Sequence, residues 1–211
     1  SMLYADFLPE TVPMISAVYS DYHMFVGPRV QRGDSDQART MKLGRGFLWG
    51  NQIGLFNLNQ ICETPNVNEC DINKPGIRYA KSLAGIRQTL AGYLAYGEYL
   101  GSVNNPSTQN TLTEQWCLND SCSRAVSAEI PAVQTSRWLD ETGNNGGIIV
   151  TNTSVTNAVN EIIEIPPNWR QMTVSICGFS SSYEMICDLV TTGDEISIEL
   201  ESLETKLIKF E

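Results

Sequence analysis

Six cysteines stand at positions 62, 70, 117, 122, 177 and 187, in three sequence-local pairs eight, five and ten positions apart. Any fold this chain adopts must bring them into pairs or hold them reduced. Spacing alone selects no single connectivity. Neighbour pairing, Cys62 with Cys70, Cys117 with Cys122 and Cys177 with Cys187, is the preferred arrangement because each bridge then closes a short polar loop. A zinc site would need two close Cys knuckles, and only Cys117-x4-Cys122 approaches one. The single histidine, His23, removes every zinc site built on two histidines. An even cysteine count between turn-rich segments points to an oxidising, extracytoplasmic setting: periplasm, cell surface or secreted. No cofactor and no metal centre is expected.

The 211 residues suffice for one α+β domain with a sizeable core. Fourteen basic against 24 acidic residues give a net charge of −10, which disfavours nucleic acid as a partner. No signal peptide or membrane span is evident. The opening Ser1-Met2 runs directly into mid-domain-like sequence and reads as a cloning scar, which leaves room for a removed N-terminal signal or anchor, and any membrane link would run through that segment. Asn119-Asp-Ser121 and Asn152-Thr-Ser154 fit the glycosylation pattern.

Charge and periodicity both change near the middle. Residues 1–105 hold nine acids and nine bases, whereas residues 106–211 hold fifteen acids and five bases. The first stretch is expected to be helical and the second β-rich. Tyr79, Leu83, Ile86, Leu90 and Leu94 recur at three- and four-residue steps, predicting one long spine helix over Ile77–Leu100. Gly85 and Gly92 within it imply close backbone approach. The segment Arg29–Arg45 reads as polar and turn-rich, leading into an aromatic loop at Gly44–Gly50. Strand-like runs follow at 148–155, 159–165, 169–177, 183–190 and 195–200, which predicts an antiparallel meander with one acidic, solvated face. Within it Ile196, Ile198 and Leu200 point inward, and Cys177 and Cys187 oppose each other across a hairpin.

Catalytic signatures are sparse. His23 has no companion at a recognised spacing, and Gly178-Phe-Ser-Ser-Ser182 lacks the second glycine of a nucleophile elbow. Asp140-Glu141 beside Trp138, and Glu161 with Glu164, are the carboxylate pairs available to a glycosidase. Asp34-Ser-Asp36 and Asp71-Ile-Asn73 supply alternate oxygens without the rest of a calcium loop. No catalytic residue is assigned.

Arg32-Gly33-Asp34 resembles the short integrin-recognition tripeptide of adhesive proteins. With Arg39 and Lys42 it lies in a stretch of local charge +3, opposite in sign to residues 161–204. These five residues are the candidate interaction set, in which Arg39 and Lys42 would meet the acidic strands of a neighbour. The predicted fold is α+β, a helical N-terminal part packed on a disulfide-stapled C-terminal antiparallel sheet. From residue 77 to 200 this order, with a disulfide in the last hairpin, is similar to the soluble part of type IV pilin-like subunits. The resemblance implies a non-enzymatic extracytoplasmic structural or adhesive subunit that associates with itself or another surface protein. The alternative is a membrane-tethered ligand-binding or sensor domain, with Phe47, Trp49, Phe56, Tyr93, Tyr96 and Tyr99 around an apolar pocket. A secreted hydrolase ranks behind both.

Overall fold

A computed structural model describes residues 29–53, 61–62, 64, 66–103, 110–191 and 193–211. Among the described residues, the helices that pack on the strands come first: α1 (Asp36–Leu48), α2 (Pro75–Thr89) and the single-turn α3 (Ala91–Leu94). Ten strands follow: β1 (Glu98–Gly101), β2 (Thr111–Cys117), β3 (Ala125–Pro131), β4 (Val133–Leu139), β5 (Gly146–Asn152), β6 (Val159–Glu164), β7 (Val174–Phe179), β8 (Met185–Val190), β9 (Glu195–Leu200) and β10 (Thr205–Phe210).

A six-stranded antiparallel sheet in the order β1-β4-β5-β10-β7-β8 forms the middle layer. On one face lie α1 and α2, where Leu43, Phe47, Tyr79, Leu83 and Ile86 pack with Ile149 and Leu207. The other face is covered by the β6–β9 pair, whose Val159, Ile163, Ile196, Ile198 and Leu200 meet Ile148, Val150, Ile208 and Phe210. β5 is sandwiched between these layers and is buried at all seven positions. A third cluster joins Met41 of α1 to Trp116, Ala128 and Ile130 of the β2–β3 hairpin.

The α+β class and the disulfide staples match expectation, but the spine helix is shorter than its periodicity implied. Tyr79, Leu83, Ile86, Leu90 and Leu94 are all buried as one stripe. The helix nevertheless breaks at Leu90, ends at Leu94, and the chain re-emerges as β1. Gly97 makes this turn possible: a Cβ there would lie 2.2 Å from the Leu139 carbonyl oxygen. Of the two glycines expected to allow close packing, Gly85 does so, with a virtual Cβ 2.2 Å from the Tyr183 ring, whereas Gly92 meets only Glu141 at 4.0 Å.

The predicted meander is also corrected. β9 leaves the main sheet to pair with β6, and β10 inserts between β5 and β7. Local patterning finds such strands but carries no information on which neighbour each will choose. Of the segment read as turn-rich, only residues 29–35 lie outside a helix; the rest, with residues 44–48 of the expected aromatic loop, is α1. Ser35 caps it by accepting a hydrogen bond from the Ala38 N–H at 3.0 Å, Asp36 sits in the first turn and Arg45 in the last.

Candidate functional site

The Arg32-Gly33-Asp34 turn, α1 and the β2–β3 hairpin converge on one buried ion pair. Lys42 projects from α1 with its Nζ 2.7 Å from both Asp34 carboxylate oxygens, and donates a third bond to the Cys117 carbonyl at 3.1 Å. Asp34 also accepts from the Gln31 N–H at 2.7 Å and the Cys117 N–H at 3.0 Å. Trp116 lies 5.2 Å below the ammonium. Lys42 is 1% exposed and Asp34 2%. Burial on this scale is tolerable only because every oxygen and most of the ammonium protons are bonded.

This geometry corrects the expected interaction set. Arg39 and Lys42 are internal, not surface cations. Arg39 donates to the Arg32 carbonyl at 2.9 Å and lies 3.3 Å from Asp36. Asp34 faces inward, so the tripeptide is not displayed as a ligand; Arg32 and Gly33 remain exposed. Gly33 is fitted against the hairpin, where a Cβ would sit 2.7 Å from that of Cys122. Asp36, Gln37, Arg39, Thr40 and Lys42 of α1 all bond within the structure, which is why the segment carries so little apolar periodicity.

The cysteines form the three neighbour disulfides Cys62–Cys70, Cys117–Cys122 and Cys177–Cys187, with no free thiol. This fits an oxidising, extracytoplasmic environment. No helix among the described residues is long and apolar enough to cross a membrane.

The carboxylate candidates separate. Glu161 is buried and Glu164 exposed on opposite faces of β6, with Glu164 3.9 Å from Arg170. Asp140 is consumed by its own loop: Oδ1 accepts from the Thr142 hydroxyl at 2.7 Å and from the N–H groups of Thr142, Asn144 and Asn145, and Oδ2 accepts from the Asn145 amide at 2.7 Å. Burial pushes this carboxyl upward, but the converging hydrogen bonds outweigh it and hold it below the ordinary aspartate value. Among the described residues no group of three or more His, Cys, Asp or Glu could hold a metal ion. Asn152 is buried and its amide donates to the Asn157 and Glu201 carbonyls, which removes it as a glycan acceptor. His23 and Phe56 lie outside the described residues. Phe47, Tyr93 and Tyr99 belong to the core, with Tyr99 5.0 Å from Trp138 edge-on, whereas Tyr96 points outward.

One surface feature stands out that periodicity had recorded only as a strand. β8 is an edge of the main sheet, and Met185, Ile186 and Leu189 are 37%, 61% and 74% exposed. Its register with β7 is unbroken over six pairs, and Cys187 is bonded to Cys177 directly opposite.

No protein-family model matches the chain, and no curated protein does. Among solved structures it is similar to a GH30 endoxylanase from Clostridium papyrosolvens C71, at 13% identity over 89% of this chain and 41% of that one, with a TM-score of 0.47. It is also similar to a Paenibacillus polymyxa xyloglucanase of glycoside hydrolase family 44, at 12% identity over 82% and 30%, with a TM-score of 0.42. A family 44 endoglucanase from Clostridium acetobutylium ATCC 824 gives 18% identity over 66% and 24%, with a TM-score of 0.37. The chain spans less than half the length of each, and likenesses this slight carry no argument about fold or activity.

Proposed function

We propose that this chain is a non-enzymatic structural or adhesive subunit of an extracytoplasmic surface assembly, pilin-like in role, that works by associating with copies of itself. The observation that supports this reading best is the apolar edge strand β8. Natural sheets blunt such edges with charges, prolines, bulges or short strands, because a row of unpaired backbone groups templates further pairing. β8 has six residues, no bulge, no proline and one charge, Asp188.

The three disulfides support the compartment, and the Cys177–Cys187 bridge holds the exposed hairpin in one shape, which lowers the ordering cost of association. Sedimentation velocity over a concentration series under non-reducing conditions tests the reading. Mass-action growth of a species larger than the monomer is expected. It should strengthen with salt, because the contact is apolar and the net charge of −10 opposes it. A monomer at every concentration and salt would overturn the reading.

A further inference from the structure

The two edges of the main sheet are built differently. β1, at one edge, has four residues, a register shift between Tyr99 and Gly101, and a terminal Gly101 at φ +96°. Each of these impedes further strand addition. β8, at the other, is longer and regular. Its side chains divide by parity. Met185, Cys187 and Leu189 lie on the helix side of the sheet, as does their neighbour Cys177, while Ile186, Asp188 and Val190 lie on the side of Ile176 and Val174.

Resting on the assembly reading above, we infer that the occupant of this edge is β8 of a second copy, paired antiparallel about a two-fold axis through Cys187, so that Met185 of each copy faces Leu189 of the other. The choice of register follows from charge and pleat. Opposed residues in a sheet share a face, so the axis must pass through a residue position. An axis at Ile186 sets Glu184 against Asp188, and one at Asp188 sets that residue against its own copy; both juxtapose carboxylates in a chain already at −10. An axis at Met185 leaves all of β8 but that residue unpaired, and one at Leu189 leaves Met185, Ile186 and Cys187 unpaired. The axis at Cys187 alone engages Met185 through Leu189 with no acid opposite an acid. It joins the two exposed apolar residues of the helix side twice over, and sets Ile186 opposite Asp188. An interface of this symmetry closes, so the product is a dimer with one continuous sheet, the β1 edges facing outward.

The experiment uses the full chain with its disulfides intact and reads the dimer dissociation constant by sedimentation equilibrium. Leu189→Lys should weaken dimerisation by roughly tenfold, the summed loss of two cross-strand pairs, and leave the circular dichroism spectrum unchanged, since the side chain is 74% exposed. Mixing Leu189→Lys with Met185→Glu should then yield a heterodimer tighter than either homodimer, because the introduced ammonium faces the introduced carboxylate. Mixing Leu189→Lys with Ile186→Glu, whose side chain lies on the opposite face, should not. Wild-type association that ignores Leu189→Lys overturns the β8 contact while leaving the assembly reading standing. Equal recovery in both mixtures overturns the register, and absence of any wild-type association overturns both proposals.

Discussion

The ammonium of Lys42 and the carboxylate of Asp34 face each other at 2.7 Å in a site almost closed to solvent. The pair fastens three pieces of the chain at one point: the turn before α1, α1 itself, and the disulfide-closed β2–β3 hairpin. Removing one partner leaves the other charge buried and uncompensated.

Lys42→Met should therefore destabilise the protein by about 3–5 kcal/mol. Urea denaturation of the two single variants and of Lys42→Met/Asp34→Leu checks this. The double variant should lose less than the sum of the singles, since neither orphaned charge remains.

Asp140 gives a pH signature. Its folded carboxyl lies below the ordinary aspartate value of 3.8 because its loop's hydrogen bonds outweigh burial. A group depressed in the folded state contributes stability above its unfolded value and loses it as pH falls through the folded one. Asp140→Asn should thus be less stable than wild type at pH 7, and the gap should shrink as pH drops below about 3.8. Denaturation midpoints between pH 7 and 2 measure it.

Gly85 looks like a weak point in α2, where alanine would ordinarily help by roughly 1 kcal/mol. The Tyr183 ring occupies the space a Cβ would need, and Tyr183 is itself held at φ +64° with its carbonyl accepting from the Thr89 hydroxyl. Gly85→Ala should instead cost about 1–3 kcal/mol. In a Tyr183→Ala background the same change should become neutral or favourable, as thermal melts of the four proteins would reveal.

The Cys177–Cys187 bridge joins residues directly opposite each other in β7 and β8. Replacing both by serine should cost about 2–4 kcal/mol. Hydrogen exchange should rise first in β8, an edge strand that loses its covalent tie to β7, its one sheet neighbour. Alkylation of the native protein without reductant should label none of the six cysteines.

What the sequence revealed and what it hid divide along physical lines. The stripe from Tyr79 to Leu94, the alternation of Ile196, Ile198 and Leu200, and the disulfide pairs were legible because each is a local pattern. α1 was not, because its buried positions include Arg39, Thr40, Lys42 and Arg45, whose fit depends on partners distant in sequence. Ser35 followed by Asp36 was the available signal, a cap with an acid behind it. The expected contact surface failed for the same reason. A charge count cannot distinguish a solvated lysine from one closed over an aspartate. β8 was visible as a strand, but its place at an edge follows from strand order, which no local pattern encodes.

The position of β10 has a consequence for biogenesis. The β1-β4-β5 and β7-β8 portions of the main sheet touch as sheet neighbours only through Thr205–Phe210. During synthesis, at about 5–20 residues per second, every other strand of that sheet emerges before the one that joins them. Until residue 210 clears the ribosome, or the translocation pore, β7 and β5 each present an unpaired inner edge. The main sheet of this protein is therefore assembled after translation of its last strand, and a nascent chain stalled before Thr205 would be a substrate for chaperones, not a partial fold.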